Sequence, residues 1–269
     1  MFLKNFDFII LPIIITITCI ISIWIGLFHP LFSLNENQVL YLYSNSSQVL
    51  AAIYGLTLTG FIFFRNELIR NETIDNTLSD ATDNLKIRYR KKLIFITLLS
   101  IITLITSNLV ISIENIKHED TKIFFMNLSQ TLFIVSLITI SFFIFDILEP
   151  KKIEKESLKI QEEFDPDINK SDNGDLSEFL KNFNKIERLL KKNGGNFFPN
   201  IKYISNKALS NAIFRKNLIN EKLFYNINKL ISLRNSIVHG AEPVVSNNIV
   251  DLSKNVLEEL SSSLEKNQM

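Results

Sequence analysis

Four long runs of uncharged, mostly apolar residues limit what this chain can fold into. Residues 8–28, 93–113 and 123–145 each hold at least 21 consecutive positions without a charged side chain, and residues 48–64 form a shorter run. A helix of about 20 such residues crosses the hydrocarbon core of a bilayer. The sequence therefore predicts an all-α chain that begins with a four-helix transmembrane region, residues 1–149.

The first two runs need a closer reading. A cleaved secretory signal is the competing interpretation of the first run, but Lys4 is the only basic residue ahead of it and no small-residue cleavage site follows it. We therefore favour a membrane anchor. In the second run, Ala51, Gly55 and Thr59 recur at intervals of four. Small side chains at this spacing predict a face against which another helix packs closely.

The basic residues beside the runs predict how the chain is oriented. Eleven Lys and Arg residues lie in the N-terminus, the 65–92 loop and the segment after residue 149, which share one side of the membrane in a four-span arrangement. Only two lie beside the runs on the other side. Because basic residues concentrate in cytoplasmic flanks, both termini are expected in the cytoplasm and the protein in the inner membrane of the cell. No ionisable residue lies deep within a run, so the sequence does not favour an ion or proton pathway.

The 65–92 loop is long for a connection between two spans. We expect the second and third spans to extend as helices into the cytoplasm before the chain turns. Its basic end, residues 88–92, is interpreted as an anchor to the membrane surface, with a contact to anionic lipid or RNA as the alternative.

The rest of the chain is polar and divides into two parts. Residues 150–174 join a charged helical extension to a stretch rich in turn-forming residues, which we interpret as a linker. Beyond it, apolar residues recur every three or four positions in several segments, so residues 175–269 predict a helical bundle. Its most regular segment, residues 218–239, is expected to end at Gly240 and Pro243. From residue 176 onward the net charge is +6.

Composition and spacing exclude several kinds of site. Cys19 is the only cysteine, so the chain can form no intrachain disulfide and supplies no cysteine cluster for zinc or an iron–sulfur centre. We find no glycine-rich phosphate loop and no pair of histidines at metal-ligand spacing. His29 and His118 flank the spans on the outer side and are interpreted as interface or solvated residues. The sequence thus predicts no cofactor and no metal.

One group of residues, at the end of the most regular helix, suits catalysis. Arg234, Asn235 and His239 lie within six positions, and Asn235 and His239 share a helix face. When the 2′-hydroxyl of RNA attacks the adjacent phosphate, an imidazole can transfer the protons and a guanidinium can stabilise the developing charge. No metal ion is required. The competing interpretation is an arginine and a histidine that only cap and solubilise a helix end.

This group resembles the motif of the HEPN domains, small helical bundles with an Arg, four to six residues and a His, often with a polar residue directly after the Arg. Arg234, Asn235 and His239 match that motif, and Ile186-Glu187 is similar to a feature of the opening helix of many members. The resemblance covers roughly residues 175–266. It implies a homodimer whose composite site draws Arg and His from both subunits, metal-independent RNase activity, and use as a toxin or abortive-infection effector in prokaryotic antiviral defence.

Two functional hypotheses follow. The leading one is a membrane-anchored endoribonuclease with Arg234, Asn235 and His239 as catalytic residues and RNA as substrate. Its activity would be restrained until infection or a regulatory partner protein triggers it. The alternative is a non-enzymatic membrane effector, in which the bundle senses a ligand or dimerises and the transmembrane helices perturb the bilayer.

Overall fold

The computed structural model describes residues 11–28, 34–113, 118–149, 151–168, 173–198, 204–240 and 243–266, and this part of the chain is all-helical, as predicted. Its α-helices are α1 (Leu11–Phe28), α2 (Glu36–Ile74), α3 (Ser79–Ser112), α4 (Glu119–Leu148), α5 (Lys152–Phe164), α6 (Leu176–Gly194), α7 (Asn206–Arg215), α8 (Glu221–His239) and α9 (Asn247–Lys266). Short 3₁₀ helices occupy Asn76–Leu78 and Gly195–Phe197. The chain forms two compact units, Met1–Asn66 with Arg88–Glu149, and Glu67–Ile87 with Pro150–Met269.

Three helices, α2, α3 and α4, are long and apolar enough to cross a membrane. The first predicted span is also helical, but α1 has 18 residues and reaches about 27 Å, slightly less than a typical hydrocarbon core. Residues 8–10 of that span lie outside the described part of the chain, so four spans remain a prediction. Large apolar side chains on α2 and α4 are at least 70 % exposed, as suits contact with lipid: Leu56, Phe63, Phe142 and Phe145.

Within the first unit, α3 and α4 are joined by buried hydroxyl pairs. Thr103 contacts Ser136 and Ser107 contacts Ser129, each with an oxygen–oxygen distance of 2.9 Å. Such pairs satisfy polar groups between apolar helices. The prediction that another helix packs closely on the small-residue face of α2 is wrong within a single chain. Gly55 is exposed, and a Cβ there would meet no atom within 4 Å.

The prediction that the helices around the 65–92 loop extend before the chain turns is confirmed. α2 continues to Ile74 and α3 begins at Ser79. Lys86 forms ion pairs with Glu72 at 2.7 Å and with Asp83 at 2.6 Å, so it connects the end of α2 to the start of α3. Apolar side chains of both ends are buried: Leu68, Ala81 and Leu85.

The second unit is organised around α8, which contacts α5, α6, α7 and α9. The apolar faces of α6 to α9 form its core. α6 is capped by Asp175, whose carboxylate accepts hydrogen bonds from the backbone N–H groups of Ser177 at 2.8 Å and Glu178 at 3.3 Å. The amphipathic spacing of the bundle helices therefore buries their apolar faces around one helix.

The placement of α5 differs from the sequence interpretation of residues 150–174 as an extension and linker. Ile160 and Gln161 are buried, and Gln161 Nε2 donates to the carbonyl oxygen of Val244 at 2.8 Å. Asp165, at the end of α5, accepts hydrogen bonds from the backbone N–H and the hydroxyl of Ser246 at 2.8 and 2.6 Å. α5 is thus an integral part of the second unit, because its buried polar residues connect it to the segment before α9.

Gly174 should be sensitive to substitution, because its backbone N–H donates to the carbonyl oxygen of Val245 at 2.8 Å and a Cβ would lie 2.7 Å from the carbonyl oxygen of Ser246. We expect Gly174→Ala to lower the free energy of unfolding by about 1–3 kcal/mol, the usual effect of forcing extra volume into a packed site. Gly195→Ala is the matched control, since a Cβ there meets nothing within 4 Å. Denaturant unfolding of the purified chain in detergent compares the two, and equal stability would contradict this packing.

Candidate functional site

The candidate site lies at the C-terminal end of α8. From Leu230 to Ile237, every side chain of this helix except that of Arg234 is buried. His239 is the last residue of the helix and keeps 21 % of its side chain exposed. The fold therefore encloses most of α8 and leaves the Arg and the His of the predicted group partly exposed.

Gly240 follows the helix for a reason that the sequence did not indicate. Its φ angle of −86° is available to any residue, so a left-handed backbone is not required. A Cβ at this position would lie 2.9 Å from the carbonyl oxygen of Ser236. Glycine is needed here because the chain passes close to the last turn of α8.

Arg234 is held by two neighbours. Its Nη1 donates to Oδ1 of the buried Asn235 at 3.5 Å, which is a weak hydrogen bond. Its guanidinium carbon lies 5.9 Å from the centre of the Phe183 ring, within the range of a cation–π interaction. Asn235 thus contacts Arg234, whereas the sequence placed it on one face with His239.

His239 contacts a turn that lies 162 residues earlier in the sequence. Its Nε2 atom lies 2.5 Å from Oγ1 of Thr77 and 3.3 Å from Oδ2 of Asp75. Both residues belong to the turn that joins α2 to α3, residues 75–78, which we call the 75–78 turn. This turn and the end of α8 lie in the same compact unit.

The 75–78 turn is a well-connected structure. Oδ1 of Asp75 accepts the backbone N–H of Thr77 at 2.9 Å and its hydroxyl at 2.6 Å, and the backbone N–H of Leu78 donates to the Asp75 carbonyl at 3.0 Å. Just after the turn, Asp80 forms an ion pair with Lys207 of α7. The Asp75 side chain therefore caps the short 3₁₀ helix of the turn. The ion pair between Asp80 and Lys207 attaches the residues after the turn to α7.

These contacts determine where the proton of the imidazole lies. The hydroxyl of Thr77 has one proton, and it donates that proton to Asp75. Its oxygen must then accept a hydrogen bond from His239, so Nε2 carries a proton. A chain of hydrogen bonds runs from His239 through Thr77 to the Asp75 carboxylate.

The positive charges of the site act on the Asp75 carboxylate. The hydrogen bond from the Thr77 hydroxyl lowers the pKa of Asp75, partial burial raises it, and the Thr77 backbone N–H with the charges of His239 and Arg234 lowers it again. The net result is a pKa below the ordinary value for an aspartate, which favours the ionised form. Arg234 and His239 thus stabilise the same anion.

Glu187 lies in the electrostatic surroundings of Arg234. Burial raises the pKa of Glu187, but hydrogen bonds from Lys191 and Asn206 and the charge of Arg234 together hold it below its ordinary value. The distances to its carboxylate are 2.9 Å from Lys191 Nζ and 3.2 Å from Asn206 Nδ2. Glu187, which belongs to the Ile186-Glu187 pair that carried part of the resemblance, is thus influenced by the charge of the Arg of the motif.

The chain matches no family model, and searches of curated proteins and of solved structures also found no match. The resemblance to HEPN domains rests on the residues named above.

The remaining candidates form no second site in the part of the chain that the structure describes. No group of three or more His, Cys, Asp and Glu residues is placed there to hold a metal ion. His118 is exposed at the start of α4, and His29 lies outside the described residues. Cys19 is buried between α1 and its neighbours in the first unit.

Sequence reasoning missed Asp75 and Thr77. In the sequence, the basic end of the 65–92 loop predicts only an anchor to the membrane surface. The Asp, Asn and Thr residues earlier in the loop indicate only a turn. No periodicity or spacing relates this loop to His239, because the contact is made by folding of distant segments.

Proposed function

We propose that this protein is a membrane-anchored, metal-independent HEPN endoribonuclease that acts as a toxin or abortive-infection effector in prokaryotic antiviral defence. The observation that supports this most is the Asp75 carboxylate 3.3 Å from Nε2 of His239, an anion on which the charge of Arg234 also acts. A phosphodiester bound in the same place would meet a guanidinium and an imidazole, which are the groups that RNA cleavage requires.

The proposed reaction is an attack of the ribose 2′-hydroxyl on the adjacent phosphorus. An imidazole takes the 2′ proton, the bond between phosphorus and the 5′ oxygen breaks, and an imidazolium gives a proton to that oxygen. The products are a 2′,3′-cyclic phosphate and a 5′-hydroxyl. Arg234 stabilises the charge on the pentacoordinate phosphorus.

A homodimer would supply the two imidazoles. His239 is the only histidine after residue 118, so one bundle cannot provide both an acid and a base for one phosphate. Near the end of α8, Val238 is 53 % exposed and lies four positions after Arg234, hence on the same face. An exposed apolar side chain beside Arg234 suits contact with a second copy across a twofold axis.

Growth assays separate this proposal from the alternative of a non-enzymatic membrane effector. The full-length chain and an Arg234→Ala, His239→Ala double variant are expressed in bacteria, and growth and RNA integrity are followed together. Growth arrest with RNA fragmentation that the double variant abolishes supports the nuclease. Toxicity that survives the double change would instead assign the effect to the apolar helices.

We also propose that the second unit faces the cytoplasm of a cell with both termini inside. The three long apolar helices support association with a membrane, and the basic flanks support this orientation. Reporters inserted at Glu119 and fused to the C-terminus are expected to report opposite sides of the inner membrane. Finding them on the same side would overturn the orientation and separate the site from cytoplasmic RNA.

A further inference from the structure

We propose that the 75–78 turn is an internal inhibitor that occupies the anion site of Arg234 and His239 and must leave before RNA binds. This inference rests on the proposed function, because it names how that same site is regulated. Asp75 places its carboxylate 3.3 Å from Nε2 of His239, and the charge of Arg234 also acts on it, so it holds a position where a substrate would present a phosphate. The chain's own turn and an RNA phosphate would therefore compete for one position.

The hydrogen-bond arrangement also prevents the first proton transfer. Since the Nε2 atom of His239 carries a proton and donates it to Thr77, this nitrogen has no free lone pair to accept the proton of a 2′-hydroxyl. His239 is therefore held in a form that is unsuited to act as a base through this atom. Release of Thr77 would free Nε2 for either role.

Two further contacts hold the turn in this position. Lys207 of α7 pairs with Asp80, and Lys86 of α3 pairs with Glu72 of α2, which joins the two helices that enter and leave the turn. Apolar residues on those helix ends are buried beside them, at Leu68, Ala81 and Leu85. The 75–78 turn is thus fixed by packing and ion pairs in the position where it contacts His239.

The helices that hold the turn are also the apolar helices of the first unit. α2 runs without interruption through Glu36–Ile74, and α3 through Ser79–Ser112. The 75–78 turn is therefore continuous along the chain with the apolar stretches of both helices, and activation requires Asp75 and Thr77 to leave His239.

An opposite role for Asp75 would be to orient His239 for catalysis. The two roles predict changes of opposite sign. If Asp75 and Thr77 inhibit, their loss raises the cleavage rate; if they position the imidazole, their loss lowers it. The geometry points to inhibition because the contacts of Thr77 and Asp75 end on Nε2, the imidazole atom that would exchange protons with RNA.

The test uses full-length protein in detergent or lipid nanodiscs, with Asp75→Asn and Thr77→Val as separate variants. Asn keeps the capping ability of residue 75 without its charge, and Val keeps the shape of residue 77 without its hydroxyl. We expect each change to increase the rate of RNA cleavage by about tenfold or more, the scale of one hydrogen bond to a charged group. Each should also tighten binding of an uncleavable 2′-O-methyl RNA, measured by fluorescence anisotropy.

The matched controls are Asp83→Asn and Thr73→Val. Asp83 pairs with Lys86 and the Thr73 hydroxyl donates to the Ile69 carbonyl at 2.8 Å, so neither contacts His239. Both controls should cleave and bind as the unchanged chain does. Adding His239→Ala to Asp75→Asn should abolish the gained cleavage.

The outcomes separate this inference from the proposed function. Cleavage by the unchanged chain as fast as by both variants, with equal RNA affinity, would overturn the inhibitor and leave the nuclease intact. Slower cleavage by Asp75→Asn would overturn it in favour of a positioning role. If no variant cleaves RNA, the nuclease fails, and the inhibitor is decided by affinity alone: tighter binding by the two variants supports it, and unchanged binding overturns it.

Discussion

Full-length protein with His239→Ala is expected to cleave RNA at least about a hundredfold more slowly than the unchanged chain. This is the usual scale for loss of a general acid or base, and alanine can neither take nor give the proton. Single-turnover cleavage of a labelled RNA in EDTA measures the rate. The chelator also removes any divalent ion that could cleave RNA in place of the protein.

A matched histidine and a neighbouring polar residue serve as controls. His118→Ala should leave the rate unchanged, since His118 is an exposed residue at the start of α4. Asn235→Ala should reduce the rate less than His239→Ala, because Asn235 holds Arg234 by a long hydrogen bond and transfers no proton. Normal cleavage by folded His239→Ala protein would refute the assigned site.

Mixing Arg234→Ala protein with His239→Ala protein is expected to restore cleavage that neither variant shows alone. After free exchange of subunits, about half of the dimers are mixed, and a composite site can then take its guanidinium from one chain and its imidazole from the other. The expected gain is partial and stays well below the unchanged rate, because a mixed dimer keeps a single imidazole where the proposed reaction uses two. Single-turnover assays before and after exchange in detergent measure it.

The control for this exchange mixes each single variant with the double variant, which should restore nothing because one of the two groups is then missing from every dimer. Absence of restoration in exchanged mixtures of the two single variants would contradict a divided site. A fully active monomer, shown by mass measurement under assay conditions, would contradict the dimer itself.

The bundle helices could be predicted because one physical pattern determines them. Apolar residues at helical spacing in residues 176–190 and 248–266 pack in the core, and Asp175 caps the first of these helices as its type and position indicate. The end of α8 at His239 follows in the same way, although the helix begins at Glu221 rather than at residue 218. Gly240 is required by a close backbone contact that no sequence pattern reveals.

Two features could not be predicted because long-range contacts create them. α5 is polar, and its incorporation into the second unit depends on Gln161 and Asp165 finding partners near residue 245. The 75–78 turn carries no pattern beyond turn-forming residues, yet it reaches His239 once α2 and α3 extend past their apolar stretches. Local propensity locates a turn, whereas its partner is fixed by the tertiary fold.

The chemical nature of the RNA ends tests the central claim most directly. Full-length Asp75→Asn protein is incubated in EDTA with a defined RNA and with the same RNA carrying a 2′-deoxy nucleotide at the cleaved position, and the fragments are analysed by mass spectrometry. A site built from Arg234 and His239 predicts fragments with a 2′,3′-cyclic phosphate and a 5′-hydroxyl, no cleavage at the deoxy position, and no cleavage once His239→Ala is added. Fragments with 5′-phosphates, or cleavage that persists at the deoxy position, would contradict it.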